Sequence, residues 1–170
     1  MNFQFYLEKL QDSSNFKNFM EKNPDAYFCS GFFVIDKEGA DNKIHFDYFL
    51  PEENKIISFQ LESEIQQLPV EMIGKKVPNK VSTSHDFNFE EVEEMIADEM
   101  QKQGIKNKIQ KIIFSLQRVD SKEYLIATVF ISMLGMLKIH ILLPEKKIVL
   151  FEKKSFFDMV TVLKKPKKKG

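Results

Sequence analysis

Apolar residues along this chain recur first at helical spacing and then at every second position, and that order appears twice. Phe3, Tyr6, Leu7 and Leu10 share one helical face, Asp12-Ser13-Ser14-Asn15 supplies cap residues, and Phe16, Phe19 and Met20 continue the stripe until Asn23-Pro24 stops it. This predicts one kinked helix or two short ones. Residues 26–36 form an aromatic and β-branched run read as a strand buried on both faces. Simple alternation puts Tyr27, Phe33 and Ile35 on one side and Phe28, Phe32 and Val34 on the other. Residues 43–50 alternate cleanly, with Ile44, Phe46 and Tyr48 facing one way and Lys43, His45 and Asp47 the other. A third strand is expected at 55–61, and short turns at 37–42 and 51–54 make the three strands an antiparallel meander.

Residues 62–86 break the pattern. Pro69, Gly74, Pro78 and a Ser82-Thr83-Ser84 run predict a long connection, with one helical turn near 65–68. A second helix then starts at Asn88, with Glu91 placed for a capping box, Phe89, Val92, Ile96 and Met100 as its buried stripe, and Gly104 as its stop. Strands are expected at 108–119, 123–133, 137–143 and 147–152, the middle two joined through a bulge at Gly135. Ser155 is placed to cap a short helix over 156–163.

The fold class expected is therefore α+β. Two related halves, each a helix followed by an antiparallel meander, build the chain as α-β-β-β twice with an extra strand in the second half, and the helices cover one sheet face. The expected divisions are 1–62, a connection over 63–86, 87–154, and a C-terminal helix and tail over 155–170. Short matches support the repeat. Met20-Glu21-Lys22-Asn23-Pro24 parallels Met100-Gln101-Lys102-Gln103-Gly104. Leu50-Pro51-Glu52 leads to Lys55-Ile56-Ile57-Ser58-Phe59 as Leu143-Pro144-Glu145 leads to Lys147-Ile148-Val149-Leu150-Phe151, and Ile44-His45 and Ile139-His140 precede them.

In plan the second unit is similar to PepSY-type modules, where a helix is followed by strands and a turn leads into a final strand. Residues 90–103, 112–116 and 143–151 carry the similarity. The family's usual Asp-x-x-x-Gly turn is replaced by Leu143-Pro144-Glu145-Lys146-Lys147. The resemblance implies a shared architecture and nothing about chemistry.

Composition narrows the function classes. At 170 residues and 43% hydrophobic content, the chain can build a core of ordinary size. Its formal charge is zero, with one arginine, Arg118, among 25 basic residues. That argues against base reading, which relies on arginine. Removing the five lysines between 164 and 169 leaves 20 basic against 25 acidic residues, so the body is acidic and the tail basic. The uncharged run 124–137 is short of the roughly 20 residues of a spanning helix and rich in β-branched residues, so it reads as buried strand. The first residues hold no basic segment followed by an apolar run, so no export signal is expected, and the single Cys29 suits a reducing, cytoplasmic setting.

Candidate chemistry is sparse. Cys29 sits mid-strand among aromatics with no basic neighbour, as a small buried hydrophobe would. His45, His85 and His140 are widely spaced, and neither paired cysteines nor a phosphate-binding glycine loop is present, so no metal, cofactor or catalytic group is expected. His45 and Asp47, with His140, are polar-face candidates that read most simply as solvated strand positions, although related halves would bring the two histidines together. The acidic positions Glu90, Glu93, Glu94 and Asp98 suit ordinary helix solvation and dipole compensation. The tail carries the strongest suggestion. Apolar residues over 156–163 followed by Lys164, Lys165, Lys167, Lys168 and Lys169 suit an anionic membrane or a nucleic acid. The expected function is a non-catalytic cytoplasmic binding or interaction module, with a protein or a second copy as partner. The alternatives are a small-molecule or lipid-binding domain with a phenylalanine-rich pocket, and peripheral binding to anionic lipid or nucleic acid through the tail.

Overall fold

The computed structural model describes residues 1–74 and 76–155. The expectations for the helix over 156–163 and for the lysine tail lie outside the described residues. Ser13 divides the first apolar stripe into α1 (Phe3–Asp12) and α2 (Ser14–Lys22). Its backbone is extended, and its hydroxyl serves both helices, donating to the Leu10 carbonyl at 2.6 Å and accepting from the Phe16 N–H at 3.2 Å. Four strands follow: β1 (Tyr27–Asp36), β2 (Lys43–Leu50), β3 (Lys55–Gln60) and β4 (Gln66–Val70). Then come α3 (Phe89–Lys102), β5 (Ile109–Val119), β6 (Lys122–Ile131), β7 (Gly135–Leu143) and β8 (Lys147–Ser155). All eight strands form one antiparallel sheet in the order β4-β3-β2-β1-β5-β6-β7-β8.

This is an α+β fold of three helices and one eight-stranded antiparallel sheet among the described residues. No helix among them is long and apolar enough to cross a membrane. The uncharged run 124–137 supplies most of β6, the following turn and the start of β7.

Five expectations are corrected. The helical turn near 65–68 is instead strand β4. All five of its residues are exposed, so it has no buried face to betray it, and as the outermost strand it tolerates Pro69. Among the described residues both meanders therefore have four strands, and the second has no extra one. The matching Leu-Pro-Glu segments do not occupy equivalent turns, since Pro51 lies between β2 and β3 and Pro144 between β7 and β8. In β1 a bulge between Phe28 and Ser30 switches the alternation at Cys29. Phe28 lies opposite Tyr48 and Phe33 opposite Ile44, so these two phenylalanines share the core face, leaving Phe32 and Val34 on the other. Finally, Asn88 caps α3 by accepting from the Glu90 N–H at 2.9 Å, while the Glu91 carboxylate points away toward Lys146 instead of closing a box.

The three helices bury Phe3, Leu7, Leu10, Phe16, Phe19, Phe89, Val92, Ile96 and Met100 in one core with the inward residues of the strands. Phe16 and Phe19 meet Tyr48 and Phe59 edge to face, which seats α2 over β2 and β3. A relay of rings, Phe46–Phe3–Phe87–Phe89–Phe114, with centroids 5.0 to 5.7 Å apart, runs from the N-terminal strands into the C-terminal ones. The seam between β1 and β5 lies beneath it, paired from Gly31–Leu116 to Asp36–Lys111.

Candidate functional site

With the helices on one side, the opposite sheet face carries the polar candidates. Directly opposed residues share a face, so the register places His45, Phe32, Ser115, Ile126, His140 and Leu150 in one row from β2 to β8. His45 and His140 thus share a face and a row, but four strand spacings of about 4.8 Å, roughly 19 Å, separate them. The expectation that related halves bring them together is corrected: they occupy the second strand of one meander and the third of the other.

Each candidate has its own setting. His45 Nε2 pairs with the Glu62 carboxylate and its ring tilts against Phe32. Asp47 accepts from the Ser30 hydroxyl at 2.8 Å, a pairing the bulge makes possible by turning Ser30 to this face. His140 is half-buried beside Tyr124, and its Nε2 has no hydrogen-bond partner among the described residues. Burial pushes its pKa down, and nearby Lys138 adds to this against Glu152, so the imidazole is held neutral. Around these groups Phe32, Ile113, Tyr124, Ile126, Leu142 and Leu150 are half-buried, which makes a broad amphipathic platform. The lysines at 164, 165, 167, 168 and 169 lie outside the described residues.

Cys29 lies at the bulge, buried, its thiol directed at the Asp47 carbonyl at 3.4 Å. Burial, reinforced by the Asp47 charge, pushes its pKa up to about 12. Thiolate is scarce at neutral pH, so thiol reagents are expected to modify native Cys29 far more slowly than the unfolded chain, as timed absorbance with a disulfide reagent will show. Because the folded pKa is raised, the thiol favours folding below about pH 9 and this contribution fades between there and pH 12. Cys29→Ala is expected to cost about 1 kcal/mol, a small buried truncation; rapid native modification would refute the structural role.

A second cluster escaped the sequence reading. His85 and Glu123 are both 7% exposed in their side chains. Glu123 Oε2 pairs with His85 Nε2, while its Oε1 accepts from the Ser82 N–H at 2.8 Å and from Arg118 Nε and Nη2 at 3.1 and 2.5 Å. Burial alone would raise the carboxyl pKa, but the combined donors from Ser82, Arg118 and His85 outweigh it and hold it below the usual carboxylate range. One signal was readable: Glu123 has the same parity as buried Leu125, Ala127 and Val129, so a carboxylate stands on the core face of β6. The ion pair consumes the acceptor oxygens, and the Ser82 and Ser84 hydroxyls bond each other at 2.7 Å. The group therefore clamps the 82–85 segment onto the sheet.

Clefts beside these groups are open. One of about 520 Å³ borders the clamp between Ser84, Arg118, Lys122 and Glu145. Another of about 410 Å³ touches Phe16, Phe28 and Tyr48 under residues 80–83. Nine phenylalanines are nonetheless buried at 2% exposure or less, and all of them but Phe49 fill the core. Among the described residues no group of three or more His, Cys, Asp or Glu is placed to hold a metal. Compared with protein-family models, curated proteins and solved structures, the chain matches none.

Proposed function

We propose that this protein is a non-catalytic interaction module of the cytoplasm that engages a macromolecular partner through the sheet face opposite its helices. The observation that carries this reading is the row through Phe32, Ser115, Ile126 and His140 with its flanking Ile113, Tyr124, Leu142 and Leu150. Five strands, β1 and β5 to β8, present half-buried apolar side chains there, and one imidazole nitrogen lacks a partner among the described residues. Such a surface gains by being covered, through apolar burial and a new hydrogen bond to His140 Nε2. A phenylalanine-lined small-molecule pocket is less well supported, because most of those rings are spent on the core. A single unpaired cysteine suits the reducing setting.

The division into 1–62 and 87–154, with β4 (Gln66–Val70) added to the first part, belongs to the same proposal. Each part is a helical segment followed by a meander, and we read them as copies of one unit joined edge to edge at β1 and β5. The supporting feature is the topological order, since the Leu-Pro-Glu matches fall on different turns.

A photo-crosslinking residue at position 126, in the centre of the platform, tests the assignment in cells producing the full chain. It is expected to yield a discrete high-mass adduct, whereas the same residue at exposed position 94 on α3 yields none. Equal behaviour of the two positions would remove the reading.

A further inference from the structure

The hairpin between β6 and β7 breaks the usual turn chemistry. Ile131 pairs with Gly135 across the three-residue loop 132–134, and two successive residues in it, Met133 and Leu134, have left-handed backbone at φ 64° and 55°. Elsewhere among the described residues this backbone falls on Asn54, Asp120, Lys146, Gly74 and Gly104. Short polar residues and glycine take it with little penalty, whereas methionine and leucine, like the single Lys146, do not. Both side chains also point to solvent, 88% and 61% exposed. Neither local backbone preference nor burial accounts for these two residues at this tip.

The loop is firmly mounted. The Ser132 N–H donates to the Lys108 carbonyl at 2.8 Å, Ser132 Oγ accepts from the Lys108 N–H at 3.0 Å, and Asn107 Nδ2 donates to the Ser132 carbonyl at 2.9 Å. Gly135 closes it tightly, since a Cβ there would stand 2.6 Å from Ile131 Cγ1. Lysines dominate the surrounding charge, with Glu152 on β8 the acidic exception. Lys108 is bonded through its backbone to Ser132, Lys106 precedes it by two residues on the segment after α3, and on β8 Lys153 and Lys154 lie opposite Leu137 and Met136 of β7. Of these four only Lys154 has a carboxylate within salt-bridge reach among the described residues, Glu152 at 3.9 Å. The acidic turn with Glu38 and Asp41 is at the same end of the sheet but beside β1 and β2.

We propose that the 132–134 loop is a membrane-contact tip, which places Met133 and Leu134 among the acyl chains of an anionic bilayer while Lys106, Lys108, Lys153 and Lys154 meet its headgroups. A protruding pair of flexible apolar side chains ringed by lysines suits a fluid anionic surface. A protein hot spot would instead be seated in a complementary pocket. This inference is independent of the platform proposed above, which lies on the sheet face and not at its end.

The test uses the full chain and co-sedimentation with phosphatidylcholine vesicles, with and without phosphatidylserine. The wild type is expected to bind the anionic vesicles only, and to retain part of that binding at high salt through the apolar tip. Met133→Asn/Leu134→Gly puts residues suited to left-handed backbone into the same turn. It is expected to bind anionic vesicles at least tenfold more weakly and yet melt about 2–4 °C higher. Lys106→Glu/Lys108→Glu should lose binding while keeping the wild-type circular dichroism spectrum. No retention of the wild type, or equal retention of Met133→Asn/Leu134→Gly, would overturn the proposal. So would a gel shift in which RNA binds the wild type and the anionic vesicles do not.

Discussion

Glu123→Ala is expected to destabilise the protein by about 1–3 kcal/mol, because it strips buried His85 and the Ser82 N–H of their acceptor, while Arg118, 38% exposed, is screened by solvent. A domain of this size has roughly 5–15 kcal/mol in all, so that is a sizeable share of its stability. Glu123→Gln keeps the shape and one acceptor oxygen and should fall between the two. Urea denaturation followed by circular dichroism measures both, and a cost under about 1 kcal/mol for alanine would show that the clamp is idle. The pH dependence has a definite sign. The folded carboxyl pKa is lowered, so the unfolded chain binds the proton first on acidification. The contribution is present above the ordinary carboxylate pKa and is lost as pH falls through the folded one. Glu123→Gln should remove that part of the acid sensitivity, leaving what Asp36, Asp41 and Glu90 contribute.

Phe89→Ala should be more damaging, at roughly 3–5 kcal/mol for a buried ring. Phe89 is 1% exposed at the start of α3, and its ring meets Phe33 at 4.9 Å, Phe87 at 5.2 Å and Phe114 at 5.3 Å. It therefore bridges β1 of one meander and β5 of the other. Calorimetry of the wild type should show a single transition, since no break in the core separates the two parts, and Phe89→Ala should shift that transition without splitting it. Two resolved transitions in the wild type would mean that the parts unfold independently.

Where one face of an element is buried and its neighbours are short-range, the chain declared its structure. The alternation of Ile44, Phe46 and Tyr48 in β2 and the stripe of Val92, Ile96 and Met100 in α3 are instances. β4 gave no such sign because it buries nothing, and the β1 bulge gave none because a parity switch at Cys29 is invisible until β2 supplies the register. The polar candidates fared similarly. That His45, Asp47 and His140 lie away from the core could be read from parity, but the 19 Å scale of the separation between the histidines needed the order of all intervening strands. His85 and Glu123 are 38 residues apart, and their meeting depends on how the connecting segment wraps the sheet.

The position of Pro69 has a consequence for the protein at high concentration. Open sheet edges are templates on which further chains can add. Here one border is a five-residue strand interrupted by a residue that cannot donate, and the other carries Lys147, Lys153 and Lys154. Stacking a second molecule onto either border forfeits a ladder bond or crowds like charges. Among the described residues both margins of the eight-stranded sheet thus disfavour a further strand, which guards a chain so rich in β-structure against fibre growth.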